Sequence, residues 1–497
     1  MKLPNSAFGA PQIEQHDARS PFPRMPYVLI VVVSLFTHGL LLTNDGAIWD
    51  SWYVIPWLKM RGWDPLDNFL SQAGMPLHAR CYRLFTFTPD IVSGFMILTL
   101  VCFLTIGFLH YRLSLALCRL TEGEALAVAI LAQTMPLFSG AQDLAMLFYI
   151  FAYTLFLLAC HLTQSAMLIH GWRHWALRTT GLLLFYVSFV NAALLVFYTG
   201  FFVLAFLRDQ RVHGASLTVA IRRFVVGYPE LLVLPFITWI ARAKLTPQHG
   251  WFLHYNSPGE NLAKIPGNFW SFFENVPLWH FVSTMEWALA YPWIPVSLIA
   301  VVVIWYKLSP AHWKMTAGPV STKHFLFFAS LLLLVAVFPY AAAGKRFTES
   351  PIGEDSRHCL LTPLPMALFL FGFLRGIVLA GSQRTSRVLP PLVAAFAVVL
   401  GCQIPRVYVT EQAGWIFSKS ILHNAVRSDA VRDSSVIILQ SSSLSKQTAY
   451  GVYGFRSAFG ELTRLVTLQV PANQQFFSPA EIQWLLLNVR PSGCGRP

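Results

Sequence analysis

The chain has 497 residues, of which 55% are hydrophobic and only 12% charged, with a formal net charge of +13 and a mean hydropathy of +0.53. Soluble proteins carry about 25% charged residues, and apolar runs of roughly 18 to 25 residues, long enough to cross a bilayer as helices, recur along this chain. The composition therefore excludes an ordinary soluble enzyme and predicts an all-α polytopic membrane protein. The basic residues fall mainly in loops, where they set orientation, and they call for no nucleic-acid partner.

Met1 to Pro26 is polar and Pro-rich, with Lys2, Arg19 and Arg24 ahead of the first apolar segment. That segment ends in Asn-Asp-Gly and not in a small-residue cleavage site. Residues 1–26 therefore read as a cytoplasmic tail before a retained signal anchor. Spans are expected near 27–43, 90–110, 122–138, 143–162, 225–241, 281–306, 324–343, 359–379 and 388–405. The apolar stretch 179–206 is broken by Ser188 and Asn191 and is too long for one untilted helix, so it reads as a hairpin of short helices. The count is about eleven, which places the C-terminus outside.

The transmembrane domain is expected over 27–406, with outside loops 44–89, 242–280 and 344–358. Most acids fall on that face. Residues 407–497 are less apolar. Val436-Ile437-Ile438-Leu439 and Leu465-Val466-Thr467-Leu468 read as short strands, and Ser478 to Glu481 has capping-box spacing with Pro479 at the first helical position. A small extracytoplasmic α/β domain is expected there. The sequence holds no Asn-x-Ser/Thr acceptor with a permitted middle residue, which favours a bacterial inner membrane over the endoplasmic reticulum. The seven cysteines show no metal-type spacing. Only Cys81 and Cys494 lie plainly in outside segments, so at most one pair is implied. Nucleotide-binding glycine loops, a Gly-x-Ser-x-Gly elbow and a His-Glu-x-x-His helix are absent.

Two constellations carry chemistry. The first is Asn44-Asp45-Gly46-Ala47-Ile48-Trp49-Asp50-Ser51-Trp52, directly after the first span. Carboxylates so close to hydrocarbon are costly to keep ionised. Asp45 or Asp50 is the candidate general base, with Trp49 beside it. Trp49, Trp52, Val54, Ile55, Trp57 and Leu58 recur at helical spacing and predict an amphipathic helix along the interface. The plain alternative is that both acids cap that helix, where its dipole favours them. The second is Lys345-Arg346, then Glu354-Asp355-Ser356-Arg357-His358 at the expected start of a late span. Guanidinium and ammonium groups at a helix start bind phosphate oxygens, so Arg357, Lys345, Arg346 and His358 are the candidate phosphate site. Snorkelling to headgroups, or pairing with Glu354 and Asp355, is the plain alternative. His249, His254 and Tyr255 are candidate pocket residues, and Asp143 is a weaker supporting one.

An acid just after the first span, helices in the first outside loop, and Ser-Arg-His-Cys-Leu-Leu-x-Pro-Leu-Pro opening a late span resemble the GT-C membrane glycosyltransferases. Members include protein O-mannosyltransferases and lipid A aminoarabinose transferases. The resemblance covers about 27–405. It implies a GT-C-like bundle and an inverting glycosyltransferase taking a sugar from a polyprenyl-phosphate donor to a lipid, glycan or protein acceptor outside. It matches the family's acid to Asp45 and its phosphate-binding arginine to Arg357. The family's acids are adjacent or split by one residue, whereas here Gly46 follows Asp45 and the next acid is Asp50. That leaves the base open between the two, and leaves a divalent cation, held by Asp45 and Asp50, as the one cofactor still to be settled. Two other functions fit the composition. A transporter or lipid flippase would place Glu230 and Glu286 facing each other at mid-membrane. An inactive relative would scaffold an envelope complex through its C-terminal domain.

Overall fold

The computed structural model describes residues 24–44, 51, 54–55, 58, 64–88, 90–138, 140–213, 216–253, 263–308, 321–347, 354–380, 388–427, 436–439 and 464–467. The described residues are overwhelmingly helical. In chain order the helices are α1 (Met25–His38), α2 (Asp64–Gln72), α3 (Pro76–Leu84), α4 (Ile91–Ala116), α5 (Glu122–Thr134) and α6 (Leu147–Ala166). They continue as α7 (Trp172–Ser188), α8 (Ala192–His213), α9 (Leu217–Gly227), α10 (Pro229–Leu245), α11 (Ile265–Phe273) and α12 (Trp279–Ala290). The last are α13 (Trp293–Leu308), α14 (Thr322–Ala342), α15 (Pro363–Ala380), α16 (Leu389–Gly401) and α17 (Gln403–Arg427).

Among the described residues, five stretches are long and apolar enough to cross a membrane: Met25–Thr43, Ile91–Ala116, Leu144–Ala166, Thr322–Ala342 and Leu389–Ala413. The number rises to at most seven if each of two bent helix pairs forms one span. Shorter apolar helices run Ala192–Leu207 and Pro363–Val378. The chain is thus a helical protein with the spans of an integral membrane protein. The apolar stretch 179–206 is divided at residues 189–191 between α7 and α8, and α7 packs chiefly against α6.

At four of the boundaries that differ from expectation, proline explains the difference, because the residue before a proline is pushed out of helical geometry. α5 stops at Thr134 since Met135, extended at ψ 117°, precedes Pro136. The span expected at 225–241 is broken at Tyr228, before Pro229, into α9 and α10 with a 61° bend. The span expected at 281–306 breaks before Trp293, at Tyr291-Pro292, with a 96° bend. The helix expected to open at Arg357 instead begins at Pro363, and residues Glu354–Cys359 form a 3-10 turn. The helix start invoked for anion binding therefore lies beyond Arg357.

α5 is the enclosed centre of the bundle. Every residue from Gly123 to Thr134 is buried. Its alanines at 125, 127, 129 and 132 let α1, α4, α15 and α16 approach closely, which is how helices associate where lipid replaces water. Its first turn is closed by a capping box, Thr121 with Glu124. Glu124 also meets Arg375 of α15 at 3.3 Å, both side chains being almost fully enclosed. Gly107 on α4 is required by the same packing, since a Cβ there would stand 2.7 Å from Ile30 Cγ2 and 2.9 Å from Gln133 Nε2.

In the tail, Val436–Leu439 pairs in parallel with Arg464–Thr467, in the register Val436↔Arg464 to Leu439↔Thr467. The second strand starts one residue before the expected position. The capping box expected at Ser478 to Glu481 lies outside the described residues, as does Cys494.

Candidate functional site

Three turns meet at one end of the bundle. The first follows α1, whose last residues tighten into a 3-10 turn, Gly39–Thr43, ending at Asn44. Asn44 is buried and its amide donates to the Gln142 carbonyl at 3.5 Å. The second turn is 140–146, between α5 and α6. Asp143 caps its short 3-10 helix, Leu144–Met146, by accepting from Ala145 N at 3.1 Å. Ser51 closes the link back to the first loop: its hydroxyl donates to Asp143 Oδ1 at 2.7 Å and accepts from Leu144 N at 2.9 Å. The third turn is Glu354–Cys359, and Ser356 Oγ accepts from Gly140 N at 3.1 Å. Ser51, Asp143 and Ser356 are all buried.

Asp45, Trp49 and Asp50 lie outside the described residues, but their flanks, Asn44 and Ser51, are both fastened to the 142–144 turn. Of the first-loop helix expected beyond them, Ser51, Val54, Ile55 and Leu58 are helical, with Val54 and Leu58 buried in the core. Trp52 and Trp57 lie outside the described residues.

Arg357 and Lys345 lie near His358. Its ring is buried and packs against Tyr340 at 5.4 Å and Phe347 at 6.3 Å between centroids. Burial, then the nearby positive charges of Arg357 and Lys345, hold this imidazole down to about 3, so it is neutral at physiological pH. Arg357 is half-buried and Arg346 exposed. α11 and the π-helical turn that follows it, Glu274–Leu278, hold the 341–347 segment in place through three buried polar side chains. Asn268 donates to Ala341 O at 3.3 Å, Ser271 accepts from Phe347 N at 3.1 Å, and Asn275 donates to Phe347 O at 2.8 Å. These contacts give the polar residues of an apolar helix a reason to be there.

The outside loops expected at 44–89 and 242–280 also touch. His249 N donates to Gln72 O at 3.0 Å and Gln248 reaches Ala73 O at 3.4 Å. Phe69 meets Phe252 edge-on at 5.2 Å. Gly74, at φ +75°, sits where a Cβ would stand 2.8 Å from Thr246 O. The His249 side chain is exposed and shares a hydrogen bond only with Pro247 O, at 3.3 Å. His254 and Tyr255 lie outside the described residues. Behind these loops α3 packs on the ends of α4 and α6, with Tyr82 OH donating to Leu144 O at 3.3 Å.

Ser51, Gly140 and Ser356 are the residues that join the site, and none has a periodicity or motif that singles it out. The carboxylate among the described side chains at the junction is Asp143. Among the described residues, no group of three or more His, Cys, Asp or Glu side chains stands ready for a metal. Glu230 is accounted for: its carboxylate pairs with Arg178, which donates from Nε at 2.6 Å. Arg178 also donates to Gly227 O at 2.9 Å and stacks on Trp175 and Tyr228, so it locks the α9–α10 bend. Glu286 is exposed on α12. Among the described residues Cys81 is an exposed thiol, and Cys102, Cys118, Cys160 and Cys402 form no disulfide.

Compared with known protein families, curated proteins and solved structures, the chain matches none.

Proposed function

We propose that the chain is an integral-membrane glycosyltransferase of GT-C type. It would move a sugar from a polyprenyl-phosphate donor to a lipid, glycan or protein acceptor on the extracytoplasmic face. The observation that carries this is the fastening of Asn44, Ser51, Asp143, Gly140 and Ser356 into one junction. It ties the loop bearing both candidate bases to the turn bearing Arg357.

The chemistry follows from those residue types. A lipid-linked sugar phosphate is already activated. Asp45 or Asp50 takes the proton from the acceptor hydroxyl or amine as it attacks the anomeric carbon, and the bond to the lipid phosphate breaks. Arg357, with Lys345 and Arg346, stabilises the departing phosphate. Neutral His358 packs behind the cations and adds no charge of its own. Should a divalent cation take part, Asp45 and Asp50 would be its ligands. The eleven-span topology, a C-terminal α/β domain and a bacterial inner-membrane location belong to the same proposal.

The test is the envelope glycolipid and polysaccharide profile, read by mass spectrometry from cells carrying wild type, Asp45→Asn, Asp50→Asn or Arg357→Ala at matched protein levels. A sugar modification that disappears with Arg357→Ala and with at least one acid variant supports the proposal. A profile unchanged by all three and by deletion of the gene sinks it in that host.

A further inference from the structure

Inside the spans, below the junction, lies a cavity whose walls include His38, His110, Gln133 and Tyr153 among apolar side chains. Five helices bring polar atoms to it or to its wall. His38 on α1 shares a hydrogen bond from Nδ1 with Tyr408 OH of α17 at 2.8 Å, and its ring stacks on Phe103 at 3.8 Å. His110 on α4 shares one from Nε2 with Tyr153 OH of α6 at 3.1 Å. Gln133 on α5 donates to Phe103 O at 3.0 Å and is reached by Ser34 Oγ only at 3.5 Å.

His110 is 1% exposed, and its Nδ1 has no hydrogen-bond partner in the protein. Whichever nitrogen carries the proton, one polar atom of this ring is left over, and an unsatisfied buried group costs about 1–3 kcal/mol. The space open to water centres is about 30 Å³. One water needs roughly 10–15 Å³ by that measure, together with two to four polar partners, so the cavity is both large enough and polar enough for two.

We propose that this cavity is an internal hydration site holding two ordered waters. They join the two His–Tyr pairs into one chain, Tyr408–His38–water–water–His110–Tyr153, within the membrane-spanning part of the protein. Gln133 supplies a further contact. The proposal does not depend on the transferase activity.

The test uses the full chain in lipid bilayers with 15N-labelled histidine, read by water-edited solid-state NMR at short mixing time. The expected result is an imidazole signal fed by immobile water that vanishes in His110→Phe. If that variant does not accumulate, His110→Gln removes the same ring with a smaller change of shape. A wild-type spectrum with no water-fed signal that either variant removes overturns the proposal.

Discussion

Ser51→Ala is the sharpest perturbation of the junction. The hydroxyl is fully buried, gives one hydrogen bond to Asp143 and takes another from Leu144 N. Alanine fits the same space, so the change is chemical and not steric. Losing the bond to Asp143 costs about 0.5–1.5 kcal/mol, and leaving the Leu144 N–H buried without its acceptor a further 1–3. The expected loss is therefore about 1.5–4.5 kcal/mol, among the larger single-residue effects. Buried thiols at Cys102, Cys160, Cys359 and Cys402 report unfolding, so the thermal midpoint can be followed with a thiol-reactive fluorophore in detergent. The variant should melt clearly below wild type, and Ser51→Thr, which keeps the hydroxyl, should recover part of the difference. A Ser51→Ala midpoint indistinguishable from wild type would refute the claim that this side chain pins the first loop.

Gly107→Val should destabilise more than Gly107→Ala, and both should fall below wild type in the same melt, because even one added carbon meets Ile30 and Gln133. Arg178→Ala leaves Glu230 without its partner at the α9–α10 bend; a loss of about 1–3 kcal/mol is expected, and an unchanged midpoint would count against the lock. His358 is held near 3 when folded against an ordinary 6.5, so below pH 6.5 the unfolded chain binds a proton that the folded one refuses. Stability should fall as pH drops from about 6.5 towards 3, by roughly 1.4 kcal/mol per unit from this residue. His358→Gln should flatten the slope, and equal slopes in the two proteins would contradict the assignment. Cys81 is exposed, yet its thiol is pushed up by partial burial; maleimide labelling of intact protein, corrected with Cys81→Ser, should be slow at neutral pH and accelerate above it.

Much of the architecture is written locally. The break between α7 and α8 is legible from Ser188 and Asn191, and the start of the first strand from four successive apolar residues. Errors in helix limits sit at Pro136, Pro229, Pro292 and Pro363, where apolar continuity hides a backbone constraint that the prolines themselves announce. Of the helix that spacing predicts from Trp49 to Leu58, Val54 and Leu58 are buried in the core; spacing reports which residues share a face and not what covers it. The site is different in kind. Asp45 and Arg357 stand out as charges beside hydrocarbon, whereas Ser51, Gly140 and Ser356 join the turns through contacts across about 90 to 216 positions. A small polar residue leaves no periodic trace of such a contact. Glu230, conspicuous in sequence as a mid-span acid, owes its place to Arg178, a partner 52 positions away.

The most direct measurement of the central claim is binding of a short-chain polyprenyl phosphate to the purified full-length protein, wild type against Arg357→Ala. Loss of a guanidinium that grips phosphate oxygens should weaken binding by about tenfold or more, or at least 1.4 kcal/mol. The thermal midpoint of the unliganded protein should change little, since Arg357 is only half-buried. Equal affinity in two equally stable proteins would contradict a phosphate site at this turn.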